Sequence, residues 1–419
     1  MGEIFDYFKI KKNLVSLLIL GILILGIPLG VNLVRLQQII KSRAAVDPIT
    51  FTGSNVKQKN DGTWVATKPQ IQLQLTSPLG PPPGGSPSTP PPLLLPTPIL
   101  IPTPIPTFGS SPTPDYNTFN VGFNVTGIIH YGYGDLFVYS SFQDVDADLN
   151  EISRMGGKII RVFVANNNIS DSEAARRLDS FLTKAASYNI SVIASLINFY
   201  GGEGFYPQGT QGYYTDNWNG IPLLNHDFFA GGYREEYLSF LRTVVTYNKD
   251  HSNIYAWEPG NELKDSNSPQ TFVDFMKDVT WVINMLDPIH SVATGMINAG
   301  HTALTPDELY SALPDVDIIT IHNYGGSHDG LSDVSWAVSH GKTVINEEMG
   351  LTGSGDRSSS TKQELDFWEG QGVKAMLQWG FLAQGLGDNG NGDRTYGMDT
   401  IWHTDYDQLA ALFASYNLK

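Results

Sequence analysis

The pattern of apolar and polar positions divides the chain into four stretches. Between Lys12 and Arg35 runs LVSLLILGILILGIPLGVNLV, free of charge and long enough as a helix to cross a hydrocarbon core of ~30 Å. It exceeds the roughly 7–15 apolar residues of a signal-peptide core, and no small-x-small cleavage site follows closely. Residues 1–43 are therefore expected to be a cytoplasmic tip and a retained transmembrane signal anchor. Lys9, Lys11 and Lys12 precede the run more densely than Arg35, Lys41 and Arg43 follow it, which favours an outside C-terminal part. The expected location is the cell membrane, single-pass, with the remainder of the chain extracellular.

Residues 44–77 alternate in ITFTG and IQLQL, which predicts a hairpin or small β module. Residues 78–114 are rich in Pro, Ser, Thr and Gly, a composition that favours extended polyproline II and a semi-rigid spacer. From Phe119 the rhythm changes again, and short β-branched runs alternate with longer amphipathic segments. Eight runs emerge: FNVTGII from Phe123, KIIRVFV from Lys158, SVIASLIN from Ser191, NIYAWEPG from Asn253, SVATGMI from Ser291, VDIITIH from Val316, KTVINEE from Lys342 and KAMLQW from Lys374. Eight βα repeats on a parallel sheet predict a (β/α)8 TIM barrel over residues 115–419. SEAARRLDSFLTKAASY is one of the predicted helices, with Asp171 as its N-cap.

Composition narrows the partner. With 42 acidic and 26 basic side chains the formal charge is −16, which disfavours nucleic acid and anionic lipid headgroups. A neutral substrate fits better, and 19 Tyr, 20 Phe and 8 Trp supply the aromatic faces a sugar cleft uses. The chain has no cysteine, so disulfides, thiolate metal sites and a cysteine nucleophile are excluded. The loop GDNGNGD from Gly387 invites a calcium reading, but a register starting at Asn389 puts Arg394 where an EF-hand needs glycine. Zincin, phosphate-loop and GxSxG motifs are lacking. No cofactor and no metal are expected, and a monomer is expected.

In a TIM barrel the chemistry sits at the C-terminal ends of the strands. Arg161 lies within the second predicted strand, Asn198 closes the third, Asn261 and Glu262 follow the fourth, His322 closes the sixth, Glu348 the seventh and Trp379 the eighth. Hydrolysis of a glycosidic bond with retention needs one carboxylic acid and one nucleophilic carboxylate about 5–5.5 Å apart. The fourth and seventh strands face each other across a barrel, so Glu262 and Glu348 form the candidate pair. The acid's pKa should be raised by burial and its neighbouring carboxylate, and the nucleophile should be kept ionised by Arg161 and Tyr324. Side chains alternate along a strand, so Glu347 and Glu348 cannot both enter the cleft while it stays regular. Asn261 is the candidate partner of the sugar 2-hydroxyl; Trp379, Trp218 and Tyr213 are candidate stacking platforms, and Trp257 reads as packing.

These segments resemble glycoside hydrolase family 5. YAWEPGNEL is similar to the fourth-strand motif of that family, whose Asn-Glu carries the acid/base, here Asn261 and Glu262. GKTVINEEMG is similar to its seventh-strand motif, in which the nucleophile stands two residues before Gly, and this selects Glu348 over Glu347. DIITIHNYG matches the sixth-strand His and Tyr, implying that His322 and Tyr324 line the nucleophile; Arg161 and Trp379 match the second-strand arginine and the eighth-strand sugar platform. Within the family SLINFYGGEGFY, HDFF and INMLDPIHSVATG resemble endo-β-1,4-mannanases. Gly260 before Asn261 and Leu263 after Glu262 depart from many relatives. The resemblance implies a retaining, endo-acting hydrolase of a neutral β-1,4-linked polysaccharide, mannan first, with Arg161, Asn198, Asn261, His322, Tyr324 and Trp379 binding substrate. The alternatives are a cellulase or β-glucanase of the same family, and a carbohydrate-binding surface protein without turnover.

Overall fold

The structure is a computed structural model that describes residues 56–58, 64–66, 114–130, 145–265, 267–351, 357–382, 396–399 and 404–418. The chain divides into two compact units, Met1–Ile99 and Leu100–Lys419. In the first, Val56–Gln58 pairs antiparallel with Trp64–Ala66. This pair lies within the residues 44–77 read as a hairpin or small β module, while ITFTG and IQLQL are outside the described residues. The predicted anchor over residues 1–43, the spacer before residue 114 and the loop from Gly387 lie outside the described residues. Among the described residues no helix is long and apolar enough to cross a membrane.

The second unit carries all eight predicted strands: β1 (Asn120–Asn124), β2 (Ile159–Phe163), β3 (Ser191–Ser195), β4 (Ile254–Glu258), β5 (Ser291–Val292), β6 (Ile318–His322), β7 (Thr343–Met349) and β8 (Ala375–Gln378). Each pairs in parallel with the next, and β8 pairs with β1. The short β5 meets β6 through the Ala293–Ile318 bridge, flanked by the Asp317 N–H donating to Val292 O at 2.9 Å, and this closes the barrel. The helices α1 (Val145–Arg154), α2 (Asp171–Ser187), α3 (Glu236–Asn248), α4 (Pro269–Leu286), α5 (Pro306–Tyr310), α6 (Leu331–Ser339), α7 (Arg357–Gly370) and α8 (Tyr406–Asn417) follow the strands in turn. The cap of α2 differs from expectation by one residue: Ser170, in extended backbone, accepts the N–H of Glu173, and Asp171 opens the first turn. A hydroxyl caps there, while the carboxylate gains from the helix dipole one position later.

Strand alternation sorts the core into two clusters. Ile160, Val162, Val192 and Ala194 face the helices, whereas Ile159, Ile193, Ile318 and Ile345 fill the barrel interior. Arg161 stands two residues after Ile159, in the inward column and nearer the C-terminal mouth. An apolar floor therefore lies under a charged layer.

β1 begins three residues before its predicted start: the Asn120 N–H donates to Lys374 O on the β8 side, and the side chain of Asn417 at the end of α8 holds both backbone groups of Val121. The Val121 N–H donates to Asn417 Oδ1 at 2.7 Å. Alternation also fails at one place in β7. Ile321 pairs with Asn346 but His322 pairs with Glu348, and on the other side Asn346 pairs with Met376 and Met349 with Gln378. One extra residue is thus accommodated at Glu347, the geometry of a β-bulge. The expectation that only one of the two glutamates faces inward assumed a regular strand; the bulge turns both toward the barrel axis.

Candidate active site

The strand ends converge on one guanidinium. Arg161 is wholly buried and spends all five of its N–H donors: Nε and one Nη2 hydrogen on Glu258 (2.9 and 2.6 Å), Nη1 on Asn124 and Glu348 (3.2 and 2.8 Å), and the other Nη2 hydrogen on Asn261 (2.8 Å). It cannot also reach a sugar, which corrects its assignment as a substrate contact. Its work is to orient, since a planar fork with five donors fixes Glu348 and Asn261 relative to the barrel wall. Arg161→Met should leave the carboxylates of Glu258, Glu347 and Glu348 without their cation and cost about 3–5 kcal/mol in denaturant unfolding. Arg161→Lys should recover little of this, because three donors cannot replace five.

Glu262 follows β4 with φ +53°, a left-handed conformation uncommon outside glycine. Its N–H donates to Gly295 O at 2.7 Å and the N–H of Asn261 to Ile197 O at 2.7 Å, so neighbouring strand ends hold the turn. Such a turn needs close backbone approach. A Cβ on Gly260 would stand 2.4 Å from Ile197 O, and one on Gly295 would stand 2.2 Å from Gly260 O. Gly260, a departure from many relatives at the sequence level, is here a packing requirement.

Glu262, His322 and Glu348 each offer one donor atom within 4.8 Å of the others, which sets the two carboxylates at that separation or closer. Tyr324 OH donates to Glu348 Oε2 at 2.6 Å, so Arg161 and Tyr324 flank the expected nucleophile. Tyr200 OH donates to Glu262 Oε2 at 2.7 Å, and His322 Nδ1 stands 2.7 Å from Glu262 Oε1 and 3.5 Å from Glu348 Oε2. A cation is already supplied to Glu348 by Arg161, which disfavours a metal between these carboxylates.

The protonation pattern differs from the expected split. Burial raises Glu262, but the hydrogen bond and charge of His322 and the hydroxyl of Tyr200 outweigh it and hold the carboxyl below its ordinary value. Glu348 is pushed up, by burial first and then by the Glu262 charge, against His322 and Arg161. His322 rises to about 10: burial opposes its charge, but Glu348, Glu262 and Glu347 together impose it. The proton expected on the acid thus rests on the imidazole beside it, and the cluster titrates as a unit.

Asn198 is buried, and its side-chain oxygen accepts from Asn261 Nδ2 at 3.0 Å and from the Tyr200 N–H at 3.2 Å. It braces Asn261, whereas direct sugar contact was expected. The amide nitrogen of Asn261 has two hydrogens, of which Asn198 takes one. Trp379 follows β8 and is partly exposed, its backbone N–H donating to Met349 O at 2.7 Å. Trp257 is buried, with its indole N–H on Asp287 at 2.8 Å, as packing requires. The sequence reading missed Glu258 and Tyr200. A charged residue inside the buried run IYAWE was the available signal for Glu258, since such strands are otherwise apolar.

No family profile matches the chain. It is 25% identical over 312 residues to a probable mannan endo-1,4-beta-mannosidase F of Aspergillus flavus, covering 62% of this chain and 65% of that relative. A probable mannan endo-1,4-beta-mannosidase A-1 of Aspergillus terreus is 26% identical over 272 residues, covering 58% of this chain and 67% of the relative. Among solved structures, the endo-1,4-beta-D-mannanase of Thermotoga petrophila superposes with a TM-score of 0.56 at 22% identity, covering 72% of this chain and 99% of the other. The chain is similar in sequence to mannan endo-1,4-beta-mannosidases. An endo-1,4-beta-mannanase of Rhizomucor miehei also shares the fold, with a TM-score of 0.53 at 19% identity over 74% of this chain and 98% of the other. These structural likenesses bear on the fold, and the (β/α)8 barrel is borne out. The chain spans just under two thirds, 65%, of the Aspergillus flavus relative's length.

Proposed function

We propose that the barrel is a retaining endo-β-1,4-mannanase in which Glu348 attacks the anomeric carbon and Glu262 protonates the departing oxygen. The observation that carries this is the pair of carboxylates within 4.8 Å, one oriented by Arg161 and Tyr324 and the other by His322 and Tyr200. An inverting enzyme keeps about 6.5–9.5 Å to seat a water between its two groups, and this spacing leaves no such room.

In the first step an oxygen of Glu348 forms a bond to the anomeric carbon as the glycosidic C–O bond breaks. The proton reaching the leaving oxygen comes from Glu262, which draws on the one proton shared with His322. In the second step Glu262 takes a proton from water, whose oxygen displaces Glu348 and restores the original configuration. The remaining N–H of Asn261 is suited to the sugar 2-hydroxyl, a contact that strengthens as positive charge develops at the ring.

Reducing-end release measured in parallel on soluble mannan and soluble cellulose tests the substrate. Faster cleavage of mannan is expected, and turnover of cellulose alone would replace it with a glucanase. The names of the Aspergillus relatives favour mannan.

The leaving-group side of the cleft is marked by Glu262 and therefore by Tyr200. The ring of Trp218 lies 6.4 Å from that of Tyr200 and is 56% exposed, on a hairpin whose strands are Tyr214–Trp218 and Ile221–Leu224. The Asn219-Gly220 turn has φ +50° and +89°, as a tight two-residue hairpin requires, and Tyr200 bridges to Leu223, so the ribbon is fastened to the β3 loop. Trp218→Ala should lower kcat/KM on mannan by roughly 3–10-fold, the worth of one aromatic contact. Hydrolysis of an aryl mannobioside, which has no sugar on the leaving side, should stay within about twofold, and an equal loss on both substrates would remove Trp218 from the leaving-group side.

Residues 1–43 are proposed to anchor the protein in the membrane as a single-pass segment, and residues 78–114 to hold the barrel away from it outside the cell. The uncharged run between Lys12 and Arg35 supports this. Recovery of the full chain in the carbonate-washed membrane fraction, with the barrel cleavable by external protease, is the expected result.

A further inference from the structure

Double displacement uses two glutamates, but the site contains a third. Glu347 is fully buried, and neither of its carboxylate oxygens has a hydrogen-bond partner. Its Oε2 stands 3.8 Å from Arg161 Nε and 3.7 Å from His322 Nε2, and that Nε2 is likewise buried without a hydrogen bond. The other ring nitrogen of His322, Nδ1, contacts Glu262 at 2.7 Å. The imidazole is therefore set between two carboxylates, one facing each nitrogen.

A carboxylate removed from water and left without donors is strongly disfavoured unless a nearby charge compensates it. Arg161 does so only in part, because Glu258, Glu348, Asn124 and Asn261 already take its five donors. Position 347 stands two residues after Ile345 in the inward column, and the bulge beside it turns Glu348 to the same face. The nucleophile is thus seated beside an acid that already occupies the interior, so the charge of Glu347 acts on the same imidazole.

Resting on the retaining-hydrolase reading, we propose that Glu347 is a positioning residue that keeps the His322 ring cationic and oriented, so that Nδ1 shares one proton with Glu262. Every charged element around the ring has its part. From β7 come Glu347 and Glu348, and from β4 and the turn after it come Glu258 and Glu262. Arg161 on β2 opposes them, and Tyr324 lies against Glu348. Farther out, Lys264 bonds His301 at 2.7 Å, and burial and this lysine lower His301 to about 4, so the lysine carries the cation of that pair. The elevation of His322 to about 10 has Glu348, Glu262 and Glu347 as its acidic sources, against burial.

The test is the pH dependence of kcat/KM on soluble mannan for the full chain, Glu347→Gln and Glu347→Asp. Removing the negative charge lets the Glu262–His322 pair surrender its proton at lower pH. The alkaline limb of Glu347→Gln should therefore fall by about one pH unit or more, as a unit charge at this range requires. Glu347→Asp, which withdraws the charge by one methylene, should shift the limb less and in the same direction. A packing role would lower kcat with the limb unmoved in both variants, and that result overturns the proposal. If Glu347→Gln does not fold, Glu347→Asp decides alone, with an unmoved limb again overturning it. A wild-type chain that cleaves neither mannan nor glucan would overturn the hydrolase reading and this inference with it, whereas an active wild type with unmoved variants sinks the inference only.

Discussion

Glu348→Ala should lower kcat on mannan by about 10⁵-fold, because removing a covalent nucleophile eliminates the step and not merely a contact. The side chain ends within hydrogen-bond reach of Arg161 and Tyr324, and its removal leaves a small hole on the face of the sugar opposite the leaving oxygen. Azide fits such a hole and supplies the missing attack. Its addition should restore part of the rate on an aryl β-mannobioside and yield an azide product of inverted, α configuration, read by proton NMR. Wild-type turnover in the alanine variant, or a β-azide product, would show that another group attacks. The fold should be undisturbed, since shortening a side chain at the mouth creates no cavity beneath the apolar floor.

Glu262→Ala produces a different signature, and the difference identifies the roles. Loss of a positioned acid/base costs about 10²–10⁴-fold on mannan, whose leaving alcohol must be protonated. With a dinitrophenyl mannobioside, whose leaving group departs unprotonated, the first step should remain fast and the second become limiting. A burst of dinitrophenolate followed by slow turnover is expected, together with a protein mass increased by one mannobiosyl unit attached at Glu348. Azide should now give the β product, because it attacks the glycosyl-enzyme from the face that water would have used. Equal loss on both substrates without a trapped intermediate would break the assignment of Glu262 to acid/base work.

The proton inventory connects these predictions to the proposed role of Glu347. The acid was expected to carry its own raised pKa, yet Glu262 lies low and His322 high. The pair nevertheless holds one proton at neutral pH, which is what the first step requires. The group that settles its location, Glu347, lies in the inward column of Ile345, and alternation alone would have turned Glu348 away from it.

The hydrophobic rhythm sufficed for the eight strands and their order, since β-branched runs of this length separated by amphipathic helices can close only as a parallel barrel. It also placed Glu262, His322, Tyr324 and Glu348 at the mouth, because the C-terminal ends of parallel strands all open on one face. Arg161 and Asn198 were legible as members of that face but not in their roles. Whether a polar side chain reaches substrate or another side chain depends on how many of its donors are already taken. That number arises from residues far apart in the chain: Asn124, Glu258, Asn261 and Glu348 for Arg161.

The chain itself determined the barrel, the apolar run and spacer that precede it, and which two strand ends would carry the chemistry, since periodicity and composition are local properties. Tertiary structure decided the rest: the bulge that turns Glu348 inward beside Glu347, the left-handed turn that aims Glu262, and the imidazole between the acids that carries the proton. These depend on register between neighbouring strands and on charges meeting in a space closed to water, and neither quantity exists until the sheet has joined its last strand to its first.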